Sequence, residues 1–243
     1  MPVSLYLTEI RKEIGKLLKQ KQKEKIYDTI GNRYAIRVCN GLTKYKARKK
    51  ERPGKIEELN TMREISLFIA MSLDGYIADS RGGVDWLTGQ KENGEMIDTY
   101  SLFIRDVDTV LMGWNTYHQI VTELSPEQWI YEGLKTYVFT HSEHLSSDEI
   151  CFTDREPEEL LEELRQQEGK KIWICGGANL VGQLRGKGLI DEYYISVIPT
   201  LLGDGIRLFG DKSTEQKLEL VSTQNYNGIV DMVYKRRANS TGA

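Results

Sequence analysis

The sequence predicts an α/β fold: a mostly parallel sheet with helices on both faces and an antiparallel strand pair at its C-terminal edge. Three observations carry that reading. Short apolar runs at 64–71, 107–112, 136–140 and 171–175 each end in a turn signal or a helix-starting residue. Helical patterns lie between them, and strand–helix alternation is how a parallel sheet covers both its faces. From residue 192 the texture changes to three strand-like runs, with no helical pattern between the last two.

In chain order, the first segment reads weakly. Ser4 caps an expected helix reaching Ile26, with Leu7, Ile10, Ile14, Leu17 and Leu18 at helical spacing. A basic run from Lys44 to Arg52 follows. Residues 1–61 hold 16 Lys and Arg against 7 Asp and Glu, whereas the rest of the chain holds 17 against 29. That break in charge, next to the turn pair Pro53-Gly54, sets an expected boundary at Met62. The expected layout is a basic extension over 1–61, one domain over 62–236 and a polar, frayed tail over 237–243. The extension is either a solvated appendage, including sequence translated ahead of a start at Met62, or a tail for an acidic partner or nucleic acid.

Within the domain, 64–71 (EISLFIAM) reads as a buried strand, and 107–112 as a second, followed by a helix over 115–124. The strand at 136–140 precedes a helix over 157–167. That helix places Leu160, Leu161 and Leu164 on one stripe and acidic residues in its first turn, with Thr153 or Asp154 as cap. The strand at 171–175 leads into a helix over 178–187. Strands at 192–198, 218–224 and 229–234 complete the sheet, with Asn225-Tyr226-Asn227-Gly228 as the hairpin turn.

Composition narrows the function classes. The 243 residues are 40% apolar and 28% charged, as in a globular domain. No run approaches the roughly 18 apolar residues that cross a bilayer, and no signal peptide is evident. The odd set Cys39, Cys151 and Cys175 has no metal-ligand spacing, and only three histidines occur. A cytoplasmic protein with no metal centre is expected.

Three motifs carry candidate chemistry. In Ile172-Trp173-Ile174-Cys175-Gly176-Gly177-Ala178-Asn179-Leu180 an apolar strand meets two glycines and then a helix. Glycine lets backbone approach a ligand closely, and a helix N-terminus offers unpaired N–H groups to an anion such as a pyrophosphate. The spacing is not the G-x-G-x-x-G fingerprint, and alone the pair reads equally as a plain turn. The second motif, Val110-Leu111-Met112-Gly113-Trp114-Asn115-Thr116-Tyr117, repeats the strand–glycine–helix pattern. Two such ends in one sheet suit a dinucleotide. The third, Ala70-Met71-Ser72-Leu73-Asp74-Gly75, continues to Val84-Asp85-Trp86 and forms a loop able to cover a ring. Its carboxylates, Asp74 and Asp85, are either acids facing a heterocycle or turn-makers.

The order of these motifs resembles the dihydrofolate reductase superfamily, in the branch similar to the C-terminal reductase domain of bacterial riboflavin biosynthesis. The resemblance covers about residues 62–236. It implies a three-layer α/β/α domain with a mixed sheet of about eight strands, a homodimer, and NADPH as hydride donor. It implies cofactor contacts from Gly176, Gly177, Ala178, Asn179 and Leu180, through a cis Gly-Gly peptide. Gly113, Asn115 and Thr116 fall near the phosphates, Thr140, His141 and Ser142 near the adenosine, and Ala70 at the carboxamide. On the substrate side it implies Ser72, Asp74 and Asp85 as catalytic candidates, with Trp86, Tyr100 and Arg207 as substrate contacts.

Departures from dihydrofolate reductases proper point away from folate. Trp114 stands where those enzymes carry an arginine selecting the 2′-phosphate, so NADH stays open beside NADPH. Val84-Asp85-Trp86 lacks their proline. The expectation is hydride transfer to a small polar heterocycle or its open sugar form, as in 5-amino-6-(5-phosphoribosylamino)uracil reductase. The competing readings are a cofactor-binding domain without turnover, and a nucleic-acid-binding protein acting through residues 1–61.

Overall fold

The computed structural model describes residues 62–91, 94, 97–210 and 215–237. The expected helix ending at Ile26, the basic run before Arg52 and residues 238–243 of the tail lie outside them.

Among the described residues, ten strands and four α-helices follow in order: β1 (Ile65–Ser72), β2 (Tyr76–Ala78), α1 (Thr99–Ile104), β3 (Val107–Gly113), α2 (Trp114–Gln119), β4 (Lys135–Phe139), β5 (Ile150–Thr153), α3 (Pro157–Arg165), β6 (Lys171–Gly176), α4 (Ala178–Gly186), β7 (Glu192–Ile198), β8 (Ile206–Arg207), β9 (Leu218–Tyr226) and β10 (Ile229–Arg236). Eight strands form one sheet in the order β5-β4-β3-β6-β1-β7-β10-β9, and β2 pairs with β8 in a small ribbon. From β5 to β7 every pairing is parallel; β10 runs antiparallel to both β7 and β9. This is the expected mixed sheet with an antiparallel C-terminal edge.

Alternation along β6 shows how the layers arise. Ile172 and Ile174 pack with Leu160, Leu161 and Leu164 of α3 and Leu180, Val181 and Leu184 of α4. Trp173 faces the other way, toward Phe103 of α1 and the Ile120 turn. With period-2 alternation, a strand buried on both faces must be apolar throughout. Continuous apolar runs such as the one in β6 therefore mark the centre of the sheet.

Local departures from the sequence reading have physical reasons. The helix expected over 115–124 is α2, which starts at Trp114 and passes into a π-helical turn, Ile120–Leu124, closed by Ser125 N–H donating to the Ile120 carbonyl at 2.7 Å. Neither Thr153 nor Asp154 caps α3. Thr153 belongs to β5, and α3 begins at Pro157, with Glu156 in the cap position making no side-chain cap bond; proline's fixed φ starts the helix without one. The hairpin turn narrows to Asn227-Gly228, whose φ values of 45° and 78° suit a two-residue turn of mirror-image type.

Candidate functional site

Because β1, β3, β4, β6 and β7 run parallel, their carboxyl ends share one edge of the sheet. Met112 pairs with Gly176, Gly113 with Phe139, and Ser72 with Ile198. In such sheets, ligands bind outside the carboxyl ends.

At the centre of that edge, the two glycine motifs meet. Gly113 precedes α2 and Gly177 precedes α4, and neither helix has a side-chain cap. The Gly176–Gly177 peptide is cis, as the resemblance implies, and Gly176 has φ +135°, a conformation open to glycine. A methyl group built on Gly177 stands 3.4 Å from Thr116 Oγ1, and one on Gly113 stands 3.9 Å from the Gly177 nitrogen. Gly113, Thr116, Gly176 and Gly177 thus lie together, beside the amides that open the nine-residue α4.

The other residues expected to hold a cofactor divide. Ala178 is half-buried at the helix start, and Asn115 and Asn179 are exposed. Asn179 Oδ1 accepts from Gln183 Nε2 at 2.6 Å. Leu180 lies in the core, with 4% exposure. At the end of β4, Ser142 N–H donates to Thr140 Oγ1 at 3.2 Å, and His141 and Ser142 are exposed. Just beyond, His144 stacks on Trp114 with ring centroids 4.2 Å apart.

Asp74 and Ser72 lie together at the β1–β2 turn. Asp74 accepts from the Ser72 hydroxyl at 2.6 Å and from the amides of Gly203 and Leu202 at 2.7 and 3.1 Å. These donors, the Ser72 hydroxyl foremost, pull its carboxyl down to about 2. Ser72 is fully buried, and its oxygen also accepts from Tyr76 N–H at 2.9 Å. Arg207 donates to the Tyr76 hydroxyl at 2.8 Å and lies 4.4 Å over its ring. Ser72, Asp74 and Arg207 therefore tie the β1–β2 turn to the loop before β8. Asp85 is exposed on the neighbouring loop.

Trp86 and Tyr100 fall on the α1 side of the sheet. Trp86 and Ala70 pack against Ile198, Tyr226 and Ile229. Tyr100 stands edge-on to Phe68 and Trp173, at 6.0 and 5.9 Å. Sequence reasoning missed two residues beside it. Tyr131 Oη lies 3.5 Å from Cys175 Sγ, immediately before the glycine pair. Burial pushes the Cys175 thiol up to about 11, although the contact with Tyr131 lowers it. Among the described residues no cluster of metal-ligating side chains occurs, and no helix is long and apolar enough to cross a membrane.

Comparison with known proteins agrees with this geometry. Residues 63–230 match the model of the RibD C-terminal domain. The uncharacterized protein YwjB of Bacillus subtilis is 39% identical over 180 residues, covering 72% of this chain and 98% of that protein. The riboflavin biosynthesis protein RibD of Haemophilus influenzae is 25% identical over 181 residues, covering 59% of this chain and 49% of that protein. A crystal structure from Shewanella sp. PV-4, described as a riboflavin biosynthesis protein, superposes with a TM-score of 0.63 at 26% identity, over 72% of this chain and 99% of that one. With its sheet order, its glycine junctions and these matches, the chain belongs to the RibD C-terminal domain family, within the dihydrofolate reductase superfamily.

Proposed function

We propose that the domain is a reductase that binds NADPH at the carboxyl edge of its sheet and reduces a small polar heterocycle or its open sugar form, in the manner of 5-amino-6-(5-phosphoribosylamino)uracil reductase. The observation that carries this is the meeting of Gly113, Thr116, Gly176 and Gly177 at adjacent strand ends. The fit is one of space and of donors. A side chain at Gly177 would fill the space toward Thr116 Oγ1. The first amides of α4 supply the hydrogen-bond donors that a pyrophosphate needs.

Bound NADPH supplies the hydride. The chain's own residues do the rest. Gly113 and the glycine pair admit the pyrophosphate to the backbone, with Thr116 contributing a hydroxyl. Thr140, His141 and Ser142 lie toward the adenosine, where the Trp114 ring replaces a cationic contact and leaves NADH as a competing donor. Trp86 and Tyr100 flank the substrate side and exclude water from the reacting face. Asp74 is a structural anchor there. Asp85, exposed on the covering loop, is the remaining carboxylic candidate for proton donor.

Thermal-shift assays with NADPH and NADH, followed by oxidation assays over a panel of pyrimidines and pterins, test the proposal. It expects a rise in melting temperature and substrate-dependent loss of reduced nicotinamide. Binding without oxidation across the panel would reduce the domain to a cofactor-binding module. No shift at millimolar nucleotide would remove the dinucleotide reading altogether.

A further inference from the structure

Beside the glycine junction, on the side of β4, two aromatic rings are stacked at the protein surface. Trp114 opens α2 directly after Gly113 and is half-buried. Gly113 pairs with Phe139, the last residue of β4, so the chain leaving β4 runs past the start of α2. Residues 141–148 of that stretch are all exposed. One of them, His144, lies flat on Trp114: the ring centroids are 4.2 Å apart and the planes 19° from parallel. Phe152 flanks both rings, 5.0 Å from His144 and 6.3 Å from Trp114. Tyr117 and His118, on α2 itself, meet the indole tilted by 39°, at 5.7 and 5.6 Å. Among the described residues, His144 is the ring stacked face to face on Trp114.

Two features make His144 a placeholder on that face. At 4.2 Å no further ring fits between the two, so the imidazole stands where a nucleobase would lie on the indole. The hold on it is also slight. It belongs to an irregular, exposed stretch, and its contacts are the Trp114 and Phe152 rings. An aromatic stack shifts an equilibrium by about three- to tenfold. A purine has a larger π-face than an imidazole and covers more of an indole, so it can take the place of the histidine.

We propose that the face of Trp114 beneath His144 is the platform for the adenine of the dinucleotide, and that His144 covers it in the empty protein as an autoinhibitory cap that the base displaces. The proposal rests on the reductase reading and adds to it a device that sets nucleotide affinity. A pyrophosphate at Gly113 and Thr116 leaves Trp114, which stands between them in sequence, as the neighbouring flat apolar face on the side of Thr140. Displacing the cap costs the same for NADPH and NADH, because the two share their adenine. The device therefore lowers affinity for both without choosing between them.

The test uses the full-length protein and the variants His144→Ala and Trp114→Leu, titrated calorimetrically with NADPH and with NADH. His144→Ala is expected to bind both about three- to tenfold more tightly than the wild type, by equal factors. Trp114→Leu is expected to bind both about tenfold more weakly. In wild-type proton spectra the His144 ring signals, displaced by the indole, are expected to move to the position of an unstacked histidine as NADPH saturates the protein. Should Trp114→Leu not fold, the His144→Ala titration and the ring signals decide. A merely structural role predicts a lower melting temperature for His144→Ala with unchanged affinity, and that result would overturn the proposal. So would ring signals that stay in place at saturation. A loss in His144→Ala that is larger for NADPH than for NADH would make His144 a contact of the 2′-phosphate, and would overturn it as well. Failure of the wild type to bind either nucleotide sinks the reductase reading and this proposal together, whereas binding without the gain in His144→Ala sinks the cap alone.

Discussion

The two ends of the parallel strands are built from opposite materials. At the amino end, charges meet charges. Arg63, buried before β1, pairs with Asp108 and donates to Thr109 Oγ1 at 2.8 Å and the Lys170 carbonyl at 2.6 Å. Lys171 bridges Glu64 and Glu192 at 2.8 and 2.6 Å, and Lys235 bridges the same two carboxylates at 3.0 and 3.2 Å. Asp191 joins Arg165 at 2.9 Å and the Ile65 amide at 3.0 Å. At the carboxyl end stand glycines and helix starts without side-chain caps. Paired groups hold a structure together, and unpaired donors beside bare backbone are what a ligand completes. On the proposed function, one end serves stability and the other binding.

That division is open to attack from both sides. The largest effect is expected at the amino end. Glu192 has a side chain 4% exposed between two lysines, and Glu192→Gln removes one of the two carboxylates they share, leaving Glu64. A loss of about 2 kcal/mol in urea denaturation is expected from the weakened charge-assisted bonds, with nucleotide affinity unchanged. A fall in NADPH binding without loss of stability would break the comparison. A smaller and opposite pattern is expected for Thr116→Ala, which costs about 1 kcal/mol of NADPH binding through one lost hydrogen bond and little stability. Equilibrium titration and melting curves on the same preparation separate the two.

The smallest effect concerns Asp74, which belongs to the carboxyl end in position but to the paired class in chemistry. Its folded pKa, about 2, lies below the unfolded value of about 3.9. Its ionised form therefore stabilises the fold above pH ~4, and that contribution fades as pH falls toward 2. Asp74→Asn is expected to melt below wild type at pH 7, with the gap closing as the pH drops from 5 to 2. A gap independent of pH would show that the carboxylate charge is not what anchors the loop.

Much of the fold was legible because buried parallel strands write themselves as apolar runs, as Ile172-Trp173-Ile174 does. The shorter elements were not. β2 has three residues and β8 two, too few for periodicity, and both exist because each pairs with the other across a long stretch of chain. The glycine junction was legible as local pattern: its second half, Gly113 and Thr116, lies far away in sequence but repeats the same strand–glycine–helix signature. Asp74 was left between two readings because its partners Leu202 and Gly203 lie 128 and 129 residues away, and an Asp-Gly pair looks the same whether its carboxylate is free or tied. Tyr131 sits in a connecting turn with no periodic pattern, so only tertiary packing reveals its position against Cys175.

The central claim, that the carboxyl-end glycine junction is a dinucleotide site, is tested most directly by titrating wild type and Gly177→Ala with NADPH while following tryptophan fluorescence. The added methyl group meets Thr116 Oγ1 at 3.4 Å, an ordinary contact that the fold accommodates, yet it occupies the surface assigned to the pyrophosphate. The account predicts quenching in the wild type, affinity at least about tenfold weaker in Gly177→Ala (~1.4 kcal/mol or more), and closely similar melting temperatures for the two apo-proteins. Equal affinity in the two proteins, at equal stability, would contradict it.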